Sequence, residues 1–335
     1  MRSVVVPRTG GPDVLTVVDQ PAPKPGPGEL LVEVSAAGVN FIDIYHRTGL
    51  YPVELPFRIG QEGAGLVAAV GDAVDGFAPG DRVAWTGVTG SYAEQAVIPA
   101  DRAVPVPDAV TTEDAAAVLL QGTTAQYLAT STYPIQPGDT AVVHAAAGGV
   151  GLLLTQYIKA LGGRVIGTVS TAEKERLARE AGADEIIRYT DSDVTAEVRR
   201  LTGGEGVPVV YDSVGADTFE ASMACLRPRG MLVLFGQSSG PVPPMEPQRL
   251  IAGSFFLTRP TSRHYLASRA DLLDRAGDVL RRVADGTLKV HIGGRYPLEA
   301  AAQAQEDLAA RRTTGRRPIS SLTMTSAASR SELSS

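Results

Sequence analysis

The spacing of apolar residues changes about one third of the way along the 335-residue chain. Before residue 122, apolar and polar positions alternate in short runs, such as Glu29-Leu-Leu-Val-Glu-Val-Ser35 and Gly63–Val70. Glycine, proline and aspartate interrupt these runs, for instance in Phe77-Ala-Pro-Gly-Asp81. Alternation with a period of two, broken by turn residues, is typical of half-buried strands. The first third of the chain is therefore predicted to be β-rich and barrel-like.

From Thr111 onward the pattern indicates helices and buried strands in turn. Thr111 is a candidate cap for a helix over the Ala-rich run Glu113–Leu120. Five strand–helix units follow, at residues 140–162, 164–182, 185–202, 207–227 and 231–236. This alternation predicts a doubly wound parallel sheet. After Arg259 the spacing predicts a long helix from Ser268 to Asp285.

The first unit, Thr140–Gly162, carries the motif on which the functional prediction depends. An apolar, β-branched strand ends at His144, and the small residues Ala146 to Gly151 follow it. They form a G-x-G-x-x-G variant with alanine in the first place, between a strand and a helix. This context favours a dinucleotide site over an ordinary glycine-rich turn. Small residues let the backbone approach a pyrophosphate, which the first amides of the helix would bind.

The end of the next strand indicates which dinucleotide binds. Ser170 lies 19 positions after Gly151, where an NAD site usually has an acid for the ribose hydroxyls. Lys174 follows one helical turn later, and the nearest acid, Glu173, lies in a helix start where acids are common. A hydroxyl and an ammonium attract a 2′-phosphate, which a carboxylate would repel. The pattern favours NADPH, although a solvated surface lysine would give the same sequence.

Composition and charge exclude several classes of protein. The chain is 44% hydrophobic and 20% charged, as globular proteins are, and its net charge of −6 offers nothing to nucleic acid or anionic membranes. No apolar run reaches membrane-spanning length, and the first residues lack a signal-peptide core. The one cysteine, Cys225, excludes an internal disulfide and suits a reducing compartment. We expect a cytoplasmic protein that binds small molecules, without nucleic-acid or membrane partners.

Five stretches in both predicted domains carry a family resemblance. They begin at Asn40 (NFIDIYHRTGLYP), Gly60 (GQEGAG), His144 (HAAAGGVG), Val210 (VYDSVG) and Leu234 (LFGQSSG). They resemble the zinc-independent NADPH:quinone oxidoreductases, the zeta-crystallin group of the medium-chain dehydrogenase/reductase superfamily. The resemblance extends over residues 1 to 322.

This resemblance implies an α/β fold with two domains. A GroES-like β-rich catalytic domain is expected at residues 1–122 and about 262–322, and a Rossmann domain with a doubly wound parallel sheet at 123–261. The Ser-rich tail, 323–335, is expected to be disordered. The family is usually dimeric, so a homodimer is expected, with apolar Ser254–Leu257 as a candidate edge strand.

Zinc-dependent members of the superfamily have a cysteine where this chain has Asn40 and a histidine where it has Gln61. Zinc sites need thiolate, imidazole or carboxylate ligands, and an amide is not a usual one. One cysteine cannot form a four-cysteine structural zinc lobe. Glu62 remains from the zinc pattern, with no metal to serve. We therefore expect no metal.

The resemblance also implies a substrate pocket lined by Asn40, Tyr45, Tyr51 and Arg259. Phenols and an amide can donate hydrogen bonds to a quinone or enone oxygen as negative charge develops there. A phenol with the reference pKa near 10 stays protonated at neutral pH. Without the resemblance, the two tyrosines would be interpreted as packing residues. No side chain is required as a proton donor, because water can protonate the product.

The same resemblance implies a set of cofactor contacts. They comprise the glycine-rich turn, the 2′-phosphate pocket and the carboxyl ends of later strands, where ligands of open α/β sheets bind. The residues are Thr124, Ala147, Gly148, Gly149, Val150, Gly151, Ser170, Lys174, Tyr189, Ser213, Gly215, Phe235, Gly236, Ser238, Arg311 and Gly315. The pairs Arg311-Arg312 and Arg316-Arg317 leave open which arginine closes the site.

Together these expectations describe an NADPH-dependent reductase that transfers hydride to a quinone in the cleft between its domains. Two alternatives stay open: an enone or enoyl reductase acting on an α,β-unsaturated carbonyl or thioester, and a crystallin-like NADPH-binding protein with little turnover. Gly236–Gly240 also fits the G-x-S-x-G elbow of hydrolases, but the prolines after it block the helix that an elbow needs. His144 is expected to be a hydrogen-bonded core residue.

Overall fold

The computed structural model describes residues 1–311, 314, 315 and 318–320. The predicted tail, 323–335, lies outside the described residues, as do Arg312, Arg316 and Arg317. The strands are β1 Arg2–Val6, β2 Thr16–Asp19, β3 Glu29–Gly38, β4 Phe57–Arg58, β5 Glu62–Val70, β6 Arg82–Thr86, β7 Gln95–Pro99, β8 Val104–Pro105, β9 Thr140–Val143, β10 Arg164–Val169, β11 Glu185–Arg188, β12 Val207–Asp212, β13 Leu226–Leu234, β14 Phe256–Thr258, β15 Tyr296–Pro297 and β16 Pro318–Ser320. The α-helices are α1 Phe41–Thr48, α2 Thr112–Tyr127, α3 Gly149–Ala160, α4 Ala172–Glu180, α5 Val194–Leu201, α6 Phe219–Ala224, α7 Ser262–Tyr265, α8 Arg269–Ala284 and α9 Ala301–Ala309.

The first part of the chain forms the predicted β-rich unit. One sheet runs in the order β15-β16-β3-β5-β6-β8, with β7 also paired to β3, and a smaller sheet has the order β2-β1-β4. In β3, Leu30, Val32 and Val34 are buried while Glu33 is exposed, which is the period-two pattern read from the sequence. These side chains form a core that also contains Trp85. The strands β15 and β16 come from the far end of the chain, so this unit is discontinuous in sequence.

The second unit is a six-stranded sheet in the order β11-β10-β9-β12-β13-β14, in which every pairing is parallel. This confirms the predicted doubly wound sheet. Strand order reverses between β9 and β12, and ligands of such sheets bind outside the carboxyl ends of the strands at this switch point. The strand β12 is buried throughout, because helices cover both faces of the sheet.

The helix α2 connects the two units. It is capped by Thr111, whose side chain accepts the Asp114 N–H, as predicted, but it continues to Tyr127, beyond the predicted end at Leu120. It packs against β3, β5 and β6 on one side and against α3 and α8 on the other. The domain boundary predicted at residue 122 thus falls inside a helix that packs on the barrel sheet and on α3 of the second unit.

Two local predictions need correction. The helix α1 was not predicted within the β-rich part; Asn40 begins it with its main-chain N–H on the Asp43 carboxylate, and Gly49, at φ 80°, ends it. The edge strand begins at Phe256 instead of Ser254, which has a positive φ of 50° that is incompatible with a strand. In the described part of the chain, no helix is both long and apolar enough to cross a bilayer.

Candidate active site

A cavity of about 880 Å³ lies between the barrel strands and the carboxyl ends of β9, β10, β12 and β13. Its size and its place at the switch point are typical of a ligand site. It collects nearly all the side chains that the sequence analysis singled out. Those that line it are Asn40, Tyr45, Tyr51, Thr124, Ala147, Gly148, Gly149, Val150, Gly151, Ser170, Lys174, Tyr189, Ser213, Phe235, Gly236, Ser238, Arg259, Arg311 and Gly315. Only Gly215 of the predicted set does not.

The glycine-rich turn leaves β9 at the floor of this cavity. Ala145 has a positive φ of 51°, and the Gly148 N–H donates to its carbonyl oxygen at 2.8 Å before α3 begins. A Cβ placed on Gly151 would lie 2.3 Å from the same carbonyl oxygen, so only glycine lets the helix start this close to the turn. The first amides of α3 therefore face the cavity, in the arrangement that binds a pyrophosphate.

A cation lies at the end of β10. The Lys174 ammonium donates to the Ser170 hydroxyl at 3.3 Å and to the Arg311 carbonyl oxygen at 2.8 Å. The Arg311 guanidinium is 3.5 Å from the Asp217 carboxylate, and Tyr189, 43% exposed, forms part of the same wall. The three predicted residues of the 2′-phosphate pocket, Ser170, Lys174 and Tyr189, thus line one wall together with Arg311. An ammonium and a hydroxyl on one partly exposed surface suit a phosphate.

Asp212 holds the turn after β12. Its carboxylate is fully buried and accepts main-chain N–H groups of Val214 and Gly215 at 2.8 and 3.0 Å, together with the hydroxyls of Thr218 and Ser222. Gly215, at φ 92°, makes this turn possible without facing the cavity. Gly215 therefore shapes the wall of the cavity without lining it.

The turn after β13 packs closely on the one after β12. The N–H groups of Phe235 and Gly236 donate to the Asp212 carbonyl oxygen at 2.8 and 3.3 Å, and the Ser238 N–H donates to that of Ser213 at 3.1 Å. A Cβ on Gly236 would lie 2.5 Å from the Ser213 carbonyl oxygen. Glycine at this position therefore lets the two turns form one continuous wall.

Two tyrosines from the barrel unit reach across to this wall. The rings of Tyr45 and Tyr51 meet edge to face, with centroids 5.2 Å apart. The Gln237 N–H donates to the Tyr45 hydroxyl oxygen at 3.2 Å, and the Arg259 guanidinium donates to that of Tyr51 at 3.3 Å and to the Leu234 carbonyl oxygen at 2.8 Å. Each phenol oxygen accepts a hydrogen bond from a donor of the other unit. Its own O–H hydrogen therefore points away from that donor and is available to another acceptor. Burial raises the pKa of Tyr45, which keeps it protonated at neutral pH.

Asn40 is buried beside the two tyrosines. Its Nδ2 group lies 2.8 Å from Glu62 Oε1 and 3.4 Å from the Gly38 carbonyl oxygen, and its Oδ1 accepts from Gln121 Nε2 at 2.8 Å. The amide that was expected to donate to a substrate thus donates to the protein.

Thr124 and Gly315 are two further predicted residues that line the cavity. Thr124, on α2, donates its hydroxyl to the Leu120 carbonyl oxygen at 2.7 Å and is nearly buried. Gly315 pairs with Gly148 in a short parallel bridge, and its N–H donates to the Ala147 carbonyl oxygen at 3.2 Å. The C-terminal segment of the barrel unit therefore crosses the glycine-rich turn.

His144 is a core residue, as predicted. It is 2% exposed, with Nδ1 2.9 Å from the Thr168 hydroxyl and Nε2 3.0 Å from that of Ser222. Because the Ser222 hydroxyl donates to Asp212, it accepts from His144 Nε2, and Nδ1 accepts from Thr168. Burial lowers the pKa of His144, so the ring is neutral and serves to connect the end of β9 to β10 and α6.

Comparison with known proteins places this cleft in a family. Residues 26–108 match the alcohol dehydrogenase GroES-like domain, and residues 149–270 match the zinc-binding dehydrogenase model. The chain is 48% identical to a quinone oxidoreductase of Pseudomonas aeruginosa over 91% of its own length and 95% of that protein. The chain belongs to the quinone oxidoreductase family of medium-chain dehydrogenases/reductases.

Two further relatives of this family bear on the cleft. A mycobacterial protein solved in complex with NADPH is 51% identical, with a TM-score of 0.93 over 96% of this chain and all of that structure. A 2-haloacrylate reductase of a Burkholderia species is 38% identical over 93% of this chain and 97% of that protein. These two matches, like the first, extend over both units of the fold.

The zinc implied by the name of one matched model does not fit the residues present in this family member. Asn40 and Gln61 have amide side chains, and the Asn40 amide hydrogens already face Glu62 and Gly38. Within the residues that the structure describes, no three His, Cys, Asp or Glu side chains are grouped as metal ligands. The polar cluster at this position is held by hydrogen bonds between its own side chains.

Sequence reasoning missed three residues that shape the cleft: Glu62, Gln121 and Asp212. Glu62 was treated as a remnant of a zinc pattern, yet it contacts Asn40. Gln121 directly follows the apolar run 115–120 of α2, and this position was the available signal for a polar contact. Asp212 ends a buried strand, where an unpaired carboxylate would be costly. Each became interpretable only when its hydrogen-bond partners from other elements were known.

Proposed function

We propose that this chain is an NADPH-dependent quinone oxidoreductase that transfers hydride to a quinone in the cleft described above. The observation that carries the proposal is that one cavity joins a dinucleotide-binding turn to two phenols whose hydroxyl hydrogens are available to a ligand. The names and the NADPH complex of its relatives support it.

The cofactor end of the cleft fits NADPH in three ways. The amides at the start of α3 would bind the pyrophosphate, and the close approach at Gly151 leaves room for it. Ser170, Lys174 and Tyr189 would bind the 2′-phosphate end of the adenosine. Phe235 to Ser238 would line the nicotinamide end beside Tyr45. When bound, the nicotinamide would supply a hydride and solvent a proton, converting the quinone to its hydroquinone.

The substrate end is formed by Tyr45, Tyr51 and Arg259. The Arg259 guanidinium on the Tyr51 oxygen, and the Gln237 N–H on the Tyr45 oxygen, polarise both O–H bonds toward an acceptor. A quinone oxygen that gains negative charge would accept from one or both. Asn40, which the sequence predicted as a further donor, would instead hold the tyrosine-bearing helix in place. Its predicted role at the site stays a prediction.

A second candidate substrate is an alkene conjugated to a carboxylate or carbonyl. The 38% identity to a 2-haloacrylate reductase supports it, because an acrylate also gains negative charge on an oxygen when hydride adds to the alkene. The same two phenols would bind that oxygen. The experiment below decides between these substrates and the NADPH-binding protein with little turnover.

The test is NADPH oxidation by the purified protein with 1,4-benzoquinone, a simple enone or a crotonyl thioester, with NADH alongside. We expect the quinone to be reduced fastest. Preference for the enone or thioester would promote the alkene reductase, and tight NADPH binding without turnover of any acceptor would favour the non-catalytic alternative. Tyr51→Phe and Asn40→Ala should lower turnover while NADPH binding changes little. Unchanged rates in both would contradict the assignment of the pocket.

Zinc independence, a homodimer and the domain limits are further parts of the proposal. The hydrogen-bonded amides at Asn40 and Gln61 support zinc independence, which predicts full activity after treatment with a chelator. The strand β14 forms the edge of the parallel sheet with Phe256 55% exposed, which supports pairing with a second copy. The limits of 1–122 with 262–322 and of 123–261 stay predictions, as does the cytoplasmic location, which cell fractionation would test.

A further inference from the structure

Glu62 is a buried carboxylate that lies behind Asn40, a residue of the wall of the cleft. It is 0% exposed, and its two oxygens accept different donors: Oε1 from Asn40 Nδ2 at 2.8 Å and Oε2 from the Leu120 main-chain N–H at 2.7 Å. A Cβ on Gly38 would lie 2.0 Å from Oε1, so the neighbouring strand has no side chain at the point of contact. The surrounding backbone is thus shaped around this one side chain.

The carboxylate gives the neighbouring amides a direction. A carboxylate only accepts, so Asn40 has to turn its Nδ2 group toward Glu62 and its Oδ1 toward Gln121, whose Nε2 donates to it at 2.8 Å. Flipped amides would place the Asn40 oxygen against the carboxylate. Gln121 Oε1 is left buried and lacks a hydrogen-bond partner among residues 1–311, 314–315 and 318–320. The orientation of the two amides is therefore kept although it leaves the Gln121 Oε1 acceptor without a partner in the described part of the chain.

The orientation of the Asn40 side chain fixes the position of α1, the helix that carries Tyr45. Asn40 directly precedes α1, and its main-chain N–H donates to the Asp43 carboxylate at 2.9 Å in the first turn. Tyr45 follows one turn later, and its carbonyl oxygen accepts the Tyr51 N–H at 3.0 Å. An Asn40 side chain held between β5 and α2 therefore sets where both phenols lie in the cleft.

We propose that Glu62 is a positioning residue for quinone reduction, which orients the Asn40 amide and through it the two phenol donors. The inference rests on the proposed function. It assigns the hydrogen bonds to the substrate oxygen to the tyrosines, because the Asn40 amide hydrogens face Glu62 Oε1 and the Gly38 carbonyl oxygen. A carboxylate that the sequence matched only to the zinc pattern thus has a different use in this chain.

An exchange of the two side chains tests the direction of the chain of hydrogen bonds. In Glu62→Gln, the introduced amide can accept the Leu120 N–H only if its own NH₂ group faces the NH₂ group of Asn40, so two donors oppose each other. In Asn40→Asp, two carboxylates face each other. In the double variant Asn40→Asp/Glu62→Gln, the introduced amide accepts from Leu120 and donates to the introduced carboxylate, which also accepts from Gln121. The double variant keeps the net charge and every donor–acceptor pair at Leu120 and Gln121.

We expect each single variant to lower kcat for 1,4-benzoquinone roughly tenfold, the effect of one mispaired buried group. The Kd for NADPH should stay within about twofold, because the cofactor end of the cleft is unchanged. The double variant should recover to within about threefold of wild type. A purely structural role of Glu62 would not separate kcat from NADPH affinity in this way.

Two results would overturn the inference: a Glu62→Gln enzyme with the wild-type kcat, or a folded double variant no more active than the single ones. Thermal unfolding of the four proteins gives an independent readout of the same cycle, since the two singles should lose Tm that the double regains. If wild type binds NADPH but reduces no quinone, the proposed function fails, and only the Tm values of the four proteins test the hydrogen-bond chain. A double variant whose Tm loss equals the sum of the two single losses would then refute that chain.

Discussion

Replacement of Lys174 by alanine tests the cofactor end of the cleft most directly. The ammonium reaches Ser170 at 3.3 Å and the Arg311 carbonyl oxygen at 2.8 Å, on the surface where a 2′-phosphate is proposed to bind. Ser170 lies where NAD-binding relatives of the fold have an acid. Lys174→Ala should therefore weaken binding of NADPH and leave that of NADH nearly unchanged.

The expected magnitude follows from the exposure of the site. A hydrogen bond to a charged group contributes ~1.5–3 kcal/mol where it is buried. Lys174 is only half-buried and its contact with Arg311 is exposed, so screening by solvent brings the value toward ~1.5 kcal/mol. Since about 1.4 kcal/mol is a factor of ten, the Kd for NADPH should rise about tenfold.

The assay is titration of the purified variant with each cofactor, followed by nicotinamide fluorescence, at low and at high salt. The NADPH effect should shrink as salt rises, because it is electrostatic. Lys24→Ala, an exposed lysine outside the cleft, is the control for loss of one positive charge. Because NADH lacks the 2′-phosphate, the change in its Kd measures the effect of losing the Lys174–Arg311 contact alone. An equal rise of Kd for NADPH and NADH would refute the assignment of the 2′-phosphate pocket to Lys174.

Three other expectations concern stability and assembly. Burial raises the pKa of Asp43 to about 7, so the unfolded chain loses this proton at lower pH than the folded chain does. The free energy of unfolding should therefore fall by up to ~4 kcal/mol from about pH 4 to pH 7. In Asp43→Asn, the free energy of unfolding measured with urea should depend less on pH over this range, and the same dependence as in wild type would contradict the expectation. Gly38→Ala should displace Glu62, which a Cβ would meet at 2.0 Å, and lower the free energy of unfolding by ~2 kcal/mol or more; an unchanged urea midpoint would mean that the carboxylate is free to move. Phe256→Glu, at the exposed sheet edge, should shift a dimer toward monomer in sedimentation, whereas Leu273→Glu, on a helix surface, should not; dissociation by both or by neither would count against the edge.

The division into a β-rich unit and a strand–helix unit could be predicted from the amino-acid sequence alone. The change of apolar spacing near Thr111 separates half-buried strands from strand–helix units, because each kind of element has its own period and its own turn residues. The strand–turn–helix at 140–162 and the unusual Ser170 and Lys174 also pointed to the dinucleotide end of the cleft. These are local signals, readable wherever the chemistry lies within one strand and the turn after it.

Features that depend on partners distant in sequence became visible only in the folded chain. The roles of Glu62 and Gln121 arise because β5 and α2, 58 residues apart at the Glu62–Leu120 contact, pack against each other. The Asn40 amide was predicted to face a substrate, and only its neighbours revealed where its hydrogens point. A buried polar side chain is committed by whichever donors and acceptors surround it, and no local pattern contains that information.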